Sequence, residues 1–215
     1  MKVDMHIHTV YSGDSVCKPQ GIIQAAKRRG LDGVAVTDHN SNKGWKEVLA
    51  EGRKKGIAVI LGEEIAVKHE GRVVGEVLGY FMNEEVKRGD VYEVLDAIAG
   101  QGALAALSHP FCFYRGMKMD VEELADKVQA VEVFNSAMYF DYHNKKALNF
   151  ARKHKLAEIG GSDAHSEDEV GNGYTYAGVE GVKEFRKAIE KGKTKAEGRL
   201  SSHLRRFFSK LAGSD

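Results

Sequence analysis

The chain alternates short runs of β-branched and apolar residues with charged stretches in which apolar residues return at helical spacing. Such an alternation is typical of repeated strand-helix units. The pattern predicts seven rounds, of which the first joins a strand over Val3–Ile7 to a helix over Pro19–Arg29. Because strands joined by helices run parallel with right-handed crossovers, these units form either an open sheet or a closed barrel.

The later rounds follow the same pattern, with one exception. The turn-like sequence HEGR predicts a hairpin between a strand over Ile57–Val67 and a partner over Arg72–Phe81. Further strands are predicted over Leu31–Thr37, Ala103–Ser108, Ala130–Asn135, Leu156–Gly160 and Tyr174–Val179. Further helices are predicted over Lys43–Lys55, Val91–Ala99, Val121–Lys127, Asp141–Lys155 and Val182–Lys191.

Composition places this chain of 215 residues among ordinary globular proteins and disfavours several classes of function. With 32 Lys and Arg against 31 Asp and Glu, the net charge of +1 argues against capture of nucleic acid or an anionic membrane by bulk charge. A membrane span needs about 18 consecutive apolar residues, and no apolar run in the chain comes near that length. The N-terminal sequence is unlike a signal peptide. Two cysteines give no disulfide framework, so we expect a cytoplasmic location and no membrane partner.

The residues after Lys193 are more basic than the rest of the chain and end in an amphipathic pattern. We expect one barrel domain over residues 1–193 and a basic amphipathic tail over residues 194–215. In the tail, Arg205, Arg206 and Lys210 stand between apolar residues at roughly helical spacing. These apolar residues are Leu200, Leu204, Phe207, Phe208 and Leu211. A helix packed on the barrel is the favoured interpretation, and docking to a partner protein, nucleic acid or membrane is the alternative.

Side chains that bind metals recur where the predicted strands end. His6 and His8 close the first strand, and their spacing of two residues puts both on one face. Asp163 and His165 form a second pair of this kind. Other candidates at strand ends and in nearby loops are Asp14, His39, one of the adjacent Glu63 and Glu64, Glu76 and His109. Because a parallel barrel presents the carboxyl ends of its strands at one face, we expect these residues to meet there.

The types of donor indicate the chemistry. A mixture of imidazole and carboxylate suits zinc, manganese or ferrous iron better than calcium or magnesium. The donors are too many for one ion, so the sequence predicts two or three divalent metal ions (Mn, Zn or Fe). Such clusters lower the pKa of a bound water and stabilise the attacking and leaving oxygens of an in-line phosphoryl displacement. Burial of so many polar groups without a ligand would be costly, which disfavours a purely structural role.

The ordered motifs HIHT, YSGD, TDHN, GEE, SHP and GSDAH lie between Val3 and His165. In this set the chain resembles the PHP (polymerase and histidinol phosphatase) superfamily of metal-dependent phosphoesterases. The resemblance implies an α/β fold, namely a distorted (β/α)7 barrel with its metal site at the C-terminal ends of the strands. It also implies a trinuclear metal centre.

Carried over motif by motif, the resemblance implies three groups of ligands. The first ion would be held by His6, His8, Glu64 and Asp163. A second ion, bridged by Glu64, would also be held by Glu76 and His109. The third would be held by Asp14, His39 and His165.

The assignment of ligands involves one choice between neighbouring residues and two departures from the family pattern. Glu64 is preferred to its neighbour Glu63 because the family motif reads Gly-any-Glu. Glu76 stands where many members of the family carry histidine, and a carboxylate there shifts the preference toward manganese or iron. Asp14 stands where some members use histidine. Neither departure prevents the expected reaction.

Four more residues are candidates for roles at the site. Arg115 is a candidate bidentate clamp on a substrate phosphate, with a surface ion pair as the alternative. Asp38 is a candidate for orienting a ligand imidazole or for proton transfer, with a helix N-cap as the alternative. Glu132 and Asn135, at a strand end, either contact ligands or substrate or form structural hydrogen bonds.

The sequence therefore predicts a metal-dependent phosphoesterase that hydrolyses a phosphate ester by attack of metal-bound hydroxide. The expected partner is a small phosphorylated substrate, a nucleotide before others, with an oligonucleotide end and hence nucleic acid as a further candidate. A metallo-amidohydrolase is one alternative, although such enzymes use a bridging lysine that no strand end here supplies. The other alternative is an accessory module that keeps metals for structure or docks on nucleic acid through its tail.

Overall fold

The structure, a computed structural model, describes residues 1–201. Within them the strands are Lys2–Ile7 (β1), Gly33–Val36 (β2), Ala58–His69 (β3), Arg72–Tyr80 (β4), Gly89–Asp90 (β5), Leu104–Leu107 (β6), Ala130–Asn135 (β7), Ala157–Gly161 (β8), Gly173–Tyr176 (β9) and Lys195–Gly198 (β10). The α-helices are Pro19–Arg28 (α1), Trp45–Lys55 (α2), Val91–Gly100 (α3), Asp141–His154 (α4) and Val182–Glu190 (α5).

The strands form one curved sheet in the order β10-β9-β1-β2-β3-β4-β6-β7-β8, and β5 pairs with β3 beside this path. β1, β2 and β3 are parallel neighbours, as are β6, β7 and β8. Because β4 is antiparallel to both β3 and β6, these two groups of three strands point the same way. Their carboxyl ends therefore share one end of the sheet.

The first strand meets the end of the eighth and nearly closes the sheet into a barrel. Ile7 and Ala164 form a parallel bridge. The amide of Asp163 donates to the carbonyl of His6 at 2.8 Å, and the amide of His8 donates to the carbonyl of Ala164 at 3.0 Å. The predicted α/β barrel is confirmed, and the antiparallel strand β4 in its wall is the main distortion.

Two apolar layers lie on opposite faces of the barrel wall. Alternation along β7 puts Ala130 and Glu132 on one face and Val131 on the other. Ala130 belongs to the inner apolar cluster, against which α5 packs through Phe185. Val131 belongs to the outer cluster beneath α1, α2, α3 and α4. Polar residues that continue the inner faces of the strands therefore lie directly above the inner cluster.

The structure differs from the prediction at one helix and at two short strands, β5 and β10, that the sequence pattern did not predict. Val121–Lys127, predicted as a helix, forms only a short 3-10 turn over Val121–Leu124, since seven residues give too little length for a stable α-helix. β10, within the predicted tail, pairs antiparallel with β9, so the sheet extends past residue 193. This short charged strand has no apolar alternation that a sequence pattern would show.

The amphipathic part of the predicted tail, residues 202–215, lies outside the described residues. Among the residues described, no helix has the length and apolar character needed to cross a membrane.

Candidate metal centre

The nine predicted ligands lie together at the carboxyl-terminal end of the barrel. They come from β1 and its loop, the end of β2, the β3-β4 hairpin, the end of β6 and the segment after β8. The donor atoms of seven of them, all but His109 and Asp163, form overlapping groups within 4.8 Å. These groups are His6, His8 and Glu64; His39, Glu64 and Glu76; and His8, Asp14, His39 and His165.

Glu64 lies at the middle of the cluster. Its Oε2 lies 3.1 Å from His6 Nε2, 3.3 Å from His8 Nε2 and 3.2 Å from His39 Nδ1. Its Oε1 lies 3.0 Å from His109 Nε2. The neighbouring Glu63 points elsewhere, since its Oε2 accepts a hydrogen bond from a backbone amide in the loop after β4.

The remaining carboxylates lie around this centre. Asp163 Oδ1 lies 3.3 Å from His8 Nε2 and 3.6 Å from His165 Nδ1. Asp14 Oδ2 lies 3.0 Å from His165 Nε2 and 3.5 Å from His39 Nε2. Glu76 Oε1 lies 3.3 Å from His39 Nδ1, so this imidazole faces Glu76 with one nitrogen and Asp14 with the other.

The unpaired buried atoms of this cluster test whether its residues fit a metal. Glu64 Oε2 and His109 Nε2 are buried and form no hydrogen bond, although oppositely polarised atoms lie nearby. Such atoms are expensive to bury because they lose their hydration without replacement. Lone pairs that converge without satisfying one another are the arrangement a cation requires, so the donor set fits divalent metal ions.

The electrostatics of the cluster agree with that fit. Burial alone would lower the pKa of His39, but hydrogen bonds with Asp14 and Glu76 outweigh it and raise the pKa to about 11. Burial alone would raise the pKa of Glu64, but the imidazoles of His6 and His109 hold it well below its usual range. Without metal the cluster is therefore held together by imidazolium and carboxylate charges, and a metal would replace the protons.

Two of the predicted ligands sit in the left-handed backbone region that non-glycine residues seldom adopt. His109 has φ of 26° and Asp163 has φ of 53°. Each is fixed by a hydrogen bond from its own amide, His109 to Glu132 Oε2 at 2.9 Å and Asp163 to the carbonyl of His6 at 2.8 Å. Strained conformations of this kind persist where the surroundings hold them, and they cluster at functional sites.

Glu132 and Asn135, on β7, form hydrogen bonds with predicted ligands of the cluster. Glu132 Oε1 accepts a hydrogen bond from His6 Nδ1 at 2.8 Å. Asn135 Nδ2 donates to Glu132 Oε2 at 3.0 Å and to Asp163 Oδ2 at 3.2 Å. The sequence left two roles open for Glu132 and Asn135, and the structure shows both residues in hydrogen-bond contact with predicted ligands.

Two serines at the site were not singled out from the sequence. Ser12 Oγ lies 3.1 Å from His8 Nδ1 and accepts a hydrogen bond from the amide of His39 at 3.1 Å. Ser108 Oγ donates to Glu64 Oε1 at 2.5 Å. Their positions inside the YSGD and SHP motifs were the available signal, because a residue beside a ligand often orients another one.

Asp38 is buried and bound to the segment after β1. Its Oδ1 accepts a hydrogen bond from the amide of Thr9 at 2.5 Å, and its Oδ2 accepts one from Thr9 Oγ1 at 2.7 Å. Burial raises the pKa of Asp38. The N-cap of α2 is Gly44, so Asp38 does not have the alternative role of helix cap. Its part in proton transfer stays a prediction.

Arg115 reaches the cluster from the loop after β6. Its Nη2 donates to Asp163 Oδ2 at 2.7 Å, while its buried Nε forms no hydrogen bond. Burial alone would lower the pKa of Arg115, but Asp163 and Glu64 raise it well above its usual value. A permanent positive charge therefore lies beside the predicted ligands. Its ion pair is with the buried Asp163, so it is not the surface ion pair that the sequence left as the alternative. Its part as a phosphate clamp stays a prediction.

Comparisons with known proteins agree with this architecture. The profile of the PHP domain matches residues 4–96, and that of a PHP-associated region matches residues 141–194. A protein of Methanocaldococcus jannaschii is 36% identical over 163 residues, which make up 69% of this chain and 90% of that protein. A probable phosphatase of Caldicellulosiruptor bescii is 25% identical over 203 residues, covering 80% of this chain and 82% of that protein.

A solved structure shows the same fold. It is a two-domain protein of Bacteroides vulgatus that contains a predicted PHP-like metal-dependent phosphoesterase. The two structures superpose with a TM-score of 0.77 at 24% identity, over 98% of this chain and 69% of that one. From the motifs, the fold and these relatives together, the chain belongs to the PHP domain family.

Proposed function

We propose that the protein is a phosphoesterase that uses two or three divalent metal ions to hydrolyse a phosphate ester. One observation carries this proposal: Glu64 Oε2 is buried without a hydrogen bond while three imidazole nitrogens lie within 3.3 Å of it. A purely structural role would compensate that cost only by keeping protons on the imidazoles, whereas a metal ion would be bound by the carboxylate and the imidazoles together.

The ligands we propose are the nine residues of the cluster. His6, His8, Glu64 and Asp163 form the first group, Glu64, Glu76 and His109 the second, and Asp14, His39 and His165 the third. His39 also lies beside Glu64 and Glu76, so it is a second candidate ligand for the middle group. We propose manganese, iron or zinc as the metal, because mixed imidazole and carboxylate donors suit these ions.

When bound, the ions would supply Lewis acidity and lower the pKa of a water molecule. The residues of the chain supply the rest. Arg115 would bind a phosphate oxygen through its partly exposed guanidinium, which keeps the ester beside Asp163. Glu132 would hold the His6 ring in the tautomer whose Nε2 faces the cluster. Asp38 would fix the segment after β1 through Thr9.

The proposed substrate is a small phosphomonoester, with nucleotides first among them and an oligonucleotide end as a related candidate. An amide substrate is the competing class, and the same assay separates the two.

The test combines metal analysis with hydrolysis of phosphomonoesters, nucleotides and amides by the metal-reconstituted protein. We expect phosphate release that falls by at least about 100-fold in His109→Ala, because loss of one metal ligand or its support costs this much or more. His154→Ala, a histidine at the end of α4 that pairs with Glu122 outside the cluster, is the matched control. Absence of phosphate release from every ester, or full release in His109→Ala, would contradict the proposal.

A further inference from the structure

Exposed apolar side chains are concentrated around the candidate metal centre. In residues 1–201, ten large apolar side chains are exposed, and eight of them lie on the segments that follow β1, β6 and β7. These eight are Val10, Tyr11, Val16, Phe113, Tyr114, Tyr139, Phe140 and Tyr142. Phe113 is 90% exposed and Phe140 is 69% exposed. Large exposed apolar groups collected at one place mark a binding surface.

Five of these residues form what we call the aromatic rim, namely Phe113, Tyr114, Tyr139, Phe140 and Tyr142. The loop after β6 carries the first two, and the segment between β7 and the first turn of α4 carries the others. The rings of Tyr114 and Tyr139 contact each other edge to face, with centroids 5.9 Å apart. This contact joins the two segments into one surface.

Arg115 connects the aromatic rim to the metal centre. The carbon at the centre of its guanidinium lies 5.4 Å from the ring centroid of Tyr114. The same guanidinium donates to Asp163 at 2.7 Å. A phosphate bound by Arg115 would therefore lie close both to the cluster and to the ring of Tyr114.

The charges on the aromatic rim favour one kind of occupant. Lys146 Nζ lies 4.8 Å from the ring centroid of Tyr142, and Arg115 lies against Tyr114. Cations interleaved with exposed aromatic rings are typical of surfaces that bind nucleotides, because the rings stack on bases and the cations attract phosphates. A purely apolar protein segment would gain nothing from these two charges.

We propose that the aromatic rim stacks the base of a nucleotide, or of a nucleotide at the end of a strand, whose phosphate lies at Arg115. This inference rests on the proposed function and names the part of the substrate that the centre itself does not bind. Stacking on one ring changes affinity by about tenfold or more.

The test compares matched substrates that differ only in the base. The pairs are adenosine 5′-monophosphate with ribose 5-phosphate, and adenosine 3′-monophosphate with ribose 3-phosphate. For the metal-reconstituted full chain, we expect kcat/KM to favour the nucleotide in at least one pair. Phe140→Ala and Phe113→Ala should reduce this preference by about tenfold, chiefly through KM. Tyr176→Ala is the control, since this exposed ring lies at the other end of the barrel, beside Lys2.

A second measurement does not depend on turnover. Calorimetric titration with adenosine, which carries no phosphate ester to hydrolyse, should give a Kd about tenfold weaker in Phe140→Ala than in Tyr176→Ala. Equal Kd values, or equal kcat/KM for nucleotides and their base-free counterparts, would overturn the inference. Those results would fit instead a rim that is covered by another protein. Failure to hydrolyse any phosphate ester, p-nitrophenyl phosphate included, would instead contradict the proposed function.

Discussion

At the scale of single residues, Glu132 controls how two of the proposed ligands are presented. One oxygen of Glu132 accepts a hydrogen bond from His6 Nδ1, which leaves the Nε2 lone pair for the centre. The other oxygen accepts hydrogen bonds from the amide of His109 and from Asn135 Nδ2. Both oxygens therefore act as acceptors, which a carboxylate satisfies and an amide does not.

We expect Glu132→Gln to weaken metal binding by about 10- to 100-fold, because its new amide donor would face another donor. Titration of the metal-free protein with Mn²⁺ gives the Kd. Glu158→Gln, which removes a surface ion pair with Arg152, is the control and should keep the Kd of the unaltered protein. An unchanged Kd in Glu132→Gln would show that its hydrogen bonds do not govern how the ligands are presented.

Proton release is a second prediction at this scale. Burial alone would lower the pKa of His6 and of His165, but the nearby carboxylates outweigh it and raise both, as they do for His39. A pKa of about 11 keeps His39 protonated near pH 7 without metal, and the raised pKa values of His6 and His165 favour their protonated forms, so metal binding must displace protons. Metal affinity should rise with pH. Calorimetry in buffers of different ionisation enthalpy measures the protons released, and a value of zero would contradict this account.

At the scale of the elements, one buried carboxylate fixes the position of β1 relative to the segments after β8. Asp4 Oδ1 accepts a hydrogen bond from the amide of Ser162 at 2.8 Å, and its Oδ2 accepts one from the amide of Gly171 at 2.7 Å. Since Asp163 follows Ser162 directly, Asp4 also helps to set the distance between Asp163 and the ligands on β1.

We expect Asp4→Asn to lower the free energy of unfolding by about 1–3 kcal/mol, because its amide nitrogen would face a backbone donor in a buried place. Asp32→Asn is the comparison, since Asp32 accepts a similar hydrogen bond from the amide of Lys2 at an exposed position. Urea unfolding of both variants gives the difference. Equal losses would mean that the burial of Asp4 adds nothing to its hydrogen bonds.

Elements with strong alternation were predictable, and elements without it were not. β7 and the β3-β4 hairpin lie where apolar alternation and a turn sequence predicted them. β10 has no such pattern, because its place depends on pairing with β9. At the site, alternation predicted that His6 and His8 share a face. It gave no information on Ser12, whose contacts depend on the conformation of a loop.

At the scale of the whole molecule, the barrel closes where the candidate metal centre lies. The bridge between Ile7 and Ala164 and the hydrogen bond from Asp163 to His6 join β1 to the end of β8. His6 and Asp163 are also proposed ligands of one ion. A bound metal would therefore connect the same two strands that complete the barrel.

Removal of metal should loosen this junction. At free metal about 100 times above its Kd, binding stabilises the folded state by about 2.7 kcal/mol, and chelation removes that amount. The transition temperature should fall, and amide hydrogen exchange should increase in residues 160–166. Peptides from α5, which packs on the inner apolar cluster, provide the internal comparison. Equal exchange changes in both regions would show that metal does not act on the junction in particular.

Several proposed metal ligands and their supporting residues lie on strands, whereas the aromatic rim lies mainly on loops, and this difference has an evolutionary consequence. His6, Glu64 and Glu132 stand on strands of the barrel, whereas Phe113 and Phe140 stand on loops. Loops tolerate insertion and replacement far better than the strands they connect. New substrate preferences can therefore arise by exchange of the segments 111–114 and 136–142, which leaves Arg115 and the ligands on the strands in place, so these segments are the natural targets for loop grafting and directed evolution.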